Sequence, residues 1–256
     1  MYVGAALKLP LQKKKMRQTY QFLQALAENN NREWFNANKH IYKEVQTKFH
    51  ALAQQLIDAI SQWDEDIAAS NLSVKDCTYR IYRDTRFSKS KEPYKIHMGI
   101  FICKRGKKSP YAGYYFHLEP EYFLPDNPLH STYCKTPLSL GKCALIAGTY
   151  HFENSILRSI RDEISVNGDS FLGAIAAAEG FSLMEGEMLK KVPSEFAFAP
   201  EKWHHLLKQK EFAVGKFLDT EYVFSDNLAQ RISEDFRKTA DFVRKINMAV
   251  DYALEQ

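Results

Sequence analysis

Between residues 95 and 119 the apolar pattern stops recurring every three or four residues and begins to alternate, and that switch of period restricts the fold more than any other feature. Residues 95–103 and 111–119 are rich in β-branched and aromatic side chains and are joined by the basic, glycine-containing KRGKKSP, so they read as an antiparallel hairpin. Residues 79–83 read as a preceding strand. Helical periodicity governs the flanks. Residues 17–28 carry Tyr20, Leu23, Leu26 and Ala27 at helical spacing, after which Asn29 and Asn30 break the pattern. Asn30 and Glu33 have capping-box spacing for a long second helix, whose stripe is Ile41, Val45, Phe49, Leu52, Leu56 and Ile60.

Later helices are expected over 151–165, 170–179 and 201–210. A last one has Leu228, Ile232, Phe236, Ala240, Val243, Ile246 and Val250 on one face, behind the cap candidates Ser225 and Asp226. Helices at both ends around an antiparallel middle predict an α+β fold, a central antiparallel sheet with helices from the N- and C-terminal parts packed on it. One domain over 17–256 is expected after a loosely ordered leader at 1–16. The proline-punctuated stretch 121–142 reads as an irregular surface excursion that returns as a strand near 143–147.

A chain of 256 residues with 45% apolar content can bury a sizeable core. It holds no run of roughly 18 apolar residues, as a membrane helix requires. MYVGAALKLPLQKKK places its apolar residues before its lysines, the reverse of a secretory signal, so a soluble cytoplasmic protein without a membrane partner is expected. Cys77, Cys103, Cys134 and Cys143 form no C-x-x-C pair, which argues for reduced thiols packed as small hydrophobes. The phosphate-loop, dinucleotide, nucleophile-elbow and zinc-protease motifs are missing, so no cofactor is indicated and no catalytic nucleophile or base can be named.

Charge is distributed unevenly. Residues 75–108 hold eleven basic side chains against three acidic ones, within a chain whose net charge is only +4. The densest part is RIYRDTRFSKSKEPYK, residues 80–95. Guanidinium forks and ammonium groups concentrated in this way suit phosphate or carboxylate groups. Arg80, Arg83, Arg86, Lys91 and Lys95 are therefore the candidate ligands for an anionic small molecule, with Tyr94 as a ring contact and Asp84 as the orienter of one arginine. The rival reading is a non-enzymatic module that docks nucleic acid or an acidic protein through the same strip. Tyr79, Tyr82, Phe87 and Tyr94, beside Tyr111, Tyr114, Tyr115 and Phe116, would then supply rings for bases. A third reading of the strip is structural, its arginines paired with Asp84, Glu92, Glu119 and helix acids. Lys104, Arg105, Lys107 and Lys108 are expected at a solvated hairpin tip.

Pairing Cys103 with Tyr111 would set His97 opposite His117 and Lys95 opposite Glu119, so the two imidazoles are weak candidates to share a metal with a carboxylate. The adjacent His204 and His205 diverge on a helix and are poorer candidates.

FLQALAENNNREWFNANKHIY (22–42), RIYRDTRFSKSKEPYK (80–95), AGYYFHLEP (112–120), LRSIRDEI (157–164) and LKKVP (189–193) together resemble, in order, the domain of unknown function 2461 family. The resemblance extends from about Tyr20 to the C-terminus. It implies a bacterial-type soluble single domain and supplies no catalytic residues. Members of that family commonly carry a glycine run before the helix matching 157–164, whereas this chain has LIAGTYHFENS with Gly148 alone, which would weaken or change any ligand site made by such a run.

Overall fold

A computed structural model of the chain describes residues 11–86, 91–121, 140–149 and 152–256. Helix α1, Leu11–Glu28, begins earlier than the expected residue 17, and Met16 is buried. Residues 1–10 lie outside the described residues. Asn29 closes α1 by donating from Nδ2 to the Ala25 carbonyl at 2.9 Å. The cap of α2, Arg32–Ala37, is Asn31 and not Asn30, its side chain accepting from Trp34 N at 2.9 Å. Helix α3, Lys39–Ile60, buries Val45, Phe49, Leu52, Leu56 and Ile60 as its stripe requires. Two short helices follow, α4 at Glu65–Ala69 and α5 at Val74–Cys77.

The hairpin strands are β1, Met98–Cys103, and β2, Gly113–Leu118. The chain returns as β3, Ala144–Thr149, matching the expected strand, whereas most of the 121–142 excursion, with Cys134, lies outside the described residues. The expected helices 151–165 and 170–179 are one helix, α6 at Asn154–Ala177, kinked at Asn167 (φ −135°, ψ 39°). Gly168 beside the kink lets the Trp203 ring approach, since a Cβ there would lie 2.4 Å from it. After β4, Ser182–Leu183, come α7, His204–Lys208, and β5, Phe212–Phe217, a strand that its short sequence signal does not announce. Helix α8, Thr220–Val223, precedes the last pair. The single helix expected to 250 is broken into α9, Leu228–Arg237, and α10, Ala240–Leu254, with buried Thr239 at the break donating to the Phe236 carbonyl at 2.7 Å. The cap position of α9 is Asn227, not Ser225 or Asp226.

The five strands lie in the order β1-β2-β3-β5-β4, every pair antiparallel. One face carries Ile100, Ile102, Tyr114, Phe116, Leu145 and Val214 into the main core. There Phe116 stacks on Phe49 of α3 at 6.4 Å and Tyr114 meets Phe236 of α9 at 5.4 Å, so helices from both halves of the chain cover this face, giving the α+β architecture. By alternation, the second face presents Gly99, Phe101, Tyr115, His117, Ala144 and Ile146, and its polar members have collected at the β1–β2 end.

The hairpin tip is solvated as expected at Arg105 and Lys108, which are exposed, but not at Lys104 and Lys107. Lys104 pairs with Asp251 at 3.0 Å and Asp66 at 3.5 Å, Lys107 donates to the Lys75 carbonyl, and Gly106 (φ +81°) packs against Asp76. Here the charges pin the tip to α4, α5 and α10. Cys77, Cys103 and Cys143 are buried free thiols. No helix among the described residues is long and apolar enough to cross a membrane.

Candidate functional site

The basic segment runs beside β1 without becoming the regular strand expected at 79–83. Isolated bridges join Thr78 to Ile100 and Tyr82 to Tyr94, while Arg83 N donates to Pro93 O at 2.9 Å and Lys95 N to Ile81 O at 2.8 Å. Asn30 holds the returning limb, donating to Tyr94 O at 3.0 Å and accepting from Tyr94 N at 3.1 Å. These bonds turn the Tyr94 ring inward, where it stacks on Phe35 at 3.9 Å and is 4% exposed. Tyr94, expected as a ring contact for the ligand, is thus a core ring.

The cations of the segment separate into two groups. Arg83 pairs with Glu92 at 3.4 Å, Arg86 with Asp84 at 2.6 Å, and Lys91 donates to the Thr85 carbonyl at 3.1 Å. Asp84 accepts from Arg86 Nε at 3.0 Å and Nη2 at 2.6 Å, and these bonds hold its carboxyl down to about 2. None of these three cations lines the neighbouring cleft; Lys89 and Phe87 lie outside the described residues. Arg80 and Lys95 do line it. The cleft is small, about 30 Å³ in volume, and lies between Tyr79, Arg80, Lys95, His97, Gly99 and Tyr115.

Lys95 is half-buried with Nζ 5.4 Å from the centre of the Tyr79 ring. Burial lowers its pKa, and Arg80 and Arg83 lower it further. No ion pair or side-chain hydrogen bond joins Lys95 or Arg80 to a carboxylate among the described residues. One carboxylate within reach would ordinarily offset such a concentration of like charge.

At the base of the cleft the hairpin register differs from the expected pairing by two positions. Cys103 faces Gly113, and the ladder continues to Met98 opposite Leu118, which directs His97 toward Glu119 and places His117 on the diagonal. A shift of two preserves the alternation, so His97 and His117 remain on one face with ring centres 4.7 Å apart. His117 and Glu119 are both buried, with His117 Nε2 2.8 Å from Glu119 Oε2 and Nδ1 3.0 Å from the Tyr115 hydroxyl. Glu119 Oε2 also accepts from Leu140 N at 2.8 Å and Gly141 N at 3.0 Å, tying the end of the excursion to β2. His97 is held well below the usual histidine range by burial, then by His117, Lys95 and Arg83.

Tyr115 reaches His117 because β1 offers no side chain in between, a Cβ on Gly99 falling 2.4 Å from the Tyr115 hydroxyl. Glu119 and Tyr115 were not singled out as partners of the histidines. The alternation of Tyr115, His117 and Glu119 along one strand is the signal that could have found them.

Other expected surfaces fare less well. Tyr111, Tyr114 and Phe116 are core residues like Tyr94, so among the described residues the expected rings that remain accessible are Tyr79, Tyr82 and the half-buried Tyr115. Gly148 (φ +126°) serves close strand pairing, a Cβ there lying 2.1 Å from the Phe212 carbonyl. His204 and His205 turn to Ala199 O and Gln209 respectively. A wider groove of about 650 Å³ lies between α4 and α10, but Asp64 there binds Tyr114 and Asp241 binds Arg244, leaving mixed charge without a focus.

A family model described as a conserved hypothetical protein (DUF2461) matches residues 18–125 and 131–244. Neither the curated proteins nor the solved structures give a significant match.

Proposed function

The chain belongs to the DUF2461 family of conserved hypothetical proteins, whose description names no activity, and from the geometry we propose that it binds a small anion, a phosphate or carboxylate group, in the cleft beside β1. Arg80 at the mouth and Lys95 in the wall supply the positive charge, and the Tyr79 and Tyr115 rings bound the space. The observation that carries this reading is Lys95, a half-buried ammonium that Arg80 and Arg83 crowd and that no carboxylate among the described residues meets. An anion there would receive charge-assisted hydrogen bonds and relieve the repulsion between the cations.

The test is a thermal-shift screen of inorganic phosphate, pyrophosphate and small carboxylates in the presence of a chelator, on the wild type and on Lys95→Met. One anion should raise Tm saturably in the wild type and have no effect on the variant. Without ligand, Lys95→Met should melt no lower than wild type, because it replaces a crowded cation with an apolar chain of similar length. Equal shifts in both proteins would refute the assignment to this cleft. A response to oligonucleotides of unrelated sequence, falling steeply with salt, would favour the docking surface instead.

A further inference from the structure

We propose that His97, His117 and Glu119 form a binding site for a divalent first-row metal ion at the base of this cleft. Their candidate ligand atoms all lie within 4.8 Å of one another. Two imidazoles and one carboxylate are a sufficient donor set for zinc or iron(II), with coordination positions left open. Metal–ligand bonds of about 2 Å place neighbouring ligand atoms about 3.3 Å apart in a tetrahedral site; His117 and Glu119 are already 2.8 Å apart, so the remaining approach, up to about 1.5 Å, falls to His97, the half-buried member of the group.

The surroundings are those of a supported site. The Tyr115 hydroxyl meets His117 Nδ1 at 3.0 Å, and with Nε2 turned to the metal this contact fixes the ring and its tautomer. The backbone amides of Leu140 and Gly141 hold the Glu119 carboxylate in place. His97 lines the cleft, so an ion bound here has a route from solvent. Cys143 does not complete a softer set, since its Sγ is directed to the Glu119 carbonyl at 3.3 Å. Among the described residues the donors are therefore nitrogen and oxygen.

The rival account is a structural clasp, His117 and Glu119 bonded at 2.8 Å to anchor the chain at Leu140 and Gly141. The clasp has no use for His97. This inference is independent of the anion reading, because the metal is titrated in buffer free of phosphate and carboxylate while the anion screen contains a chelator.

The experiment titrates chelator-stripped full-length protein with Zn2+ by calorimetry and with Co2+ by visible absorption. Wild type should bind one ion per chain, with a ligand-field spectrum for Co2+ in a nitrogen and oxygen site. His97→Ala, at the half-buried position, should retain a cooperative melt and lose affinity by well over 10-fold, and Tyr115→Phe should lose about 10-fold, the scale of an outer-sphere change. Glu119→Gln should abolish the cobalt spectrum. Wild type that melts cooperatively yet takes up neither ion overturns the site, as does uptake that His97→Ala and Glu119→Gln leave unchanged.

Discussion

Asn30 exchanges two hydrogen bonds with the backbone of Tyr94, so one side chain in the helical layer fixes where the basic segment lies. Asn30→Ala leaves that amide and carbonyl without these partners and should cost about 1–3 kcal/mol, read as a lower Tm. An unchanged melt would mean that the Tyr94–Phe35 stack alone suffices. A second buried polar residue has a pH signature. Burial works to raise the pKa of Asp235, but hydrogen bonds from Lys216 at 2.7 Å, Tyr222 at 2.8 Å and Lys238 at 3.1 Å outweigh it, and the net pKa is lowered. A carboxylate depressed in the folded state contributes stability above its unfolded pKa of about 3.9, and that contribution is lost as pH falls further. Denaturant melts should therefore show wild type losing its advantage over Asp235→Asn as pH drops through and below that value. A gap between the two that does not change with pH would contradict the assignment.

The hairpin sets the site, and its register depends on close backbone approach. A Cβ on Gly113 would lie 2.3 Å from the Ile102 carbonyl, so Gly113→Ala should destabilise by roughly 1–3 kcal/mol through overpacking, measured by denaturant melts. A neutral result would show that the strands can separate there at no cost. The period of two was legible in the sequence, and with it the face shared by His97 and His117. The starting point of β2 was not legible, because the Asn247 side chain of α10, far along the chain, takes both backbone groups of Ala112, accepting at 2.8 Å and donating at 3.2 Å. That capture moves the first ladder pair to Gly113 and gives His97 a glutamate for a neighbour instead of a second histidine directly opposite. The broken last helix was hidden for a related reason. Its apolar stripe resumes beyond Lys238 and Thr239, and the break is marked by local bonds from Lys238 N to Asp235 O at 3.1 Å and from Thr239 N and Oγ1 to Phe236 O at 2.9 and 2.7 Å.

Across the whole molecule, helices cover one face of the sheet, and part of the charge excess of residues 75–108 borders the cleft at the β1–β2 end of the other. Sequence could locate the excess but could not sort it. Ion pairs and backbone contacts engage Arg83, Arg86, Lys91, Lys104 and Lys107, whereas Arg80 and Lys95 are left to the cleft. Titration of the Lys95 ammonium group by NMR, with and without inorganic phosphate or pyrophosphate, decides whether this lysine meets an anion. Its pKa should lie below the usual lysine value in the ligand-free protein and rise when the anion binds. An ordinary pKa that neither anion moves would refute the proposed anion site.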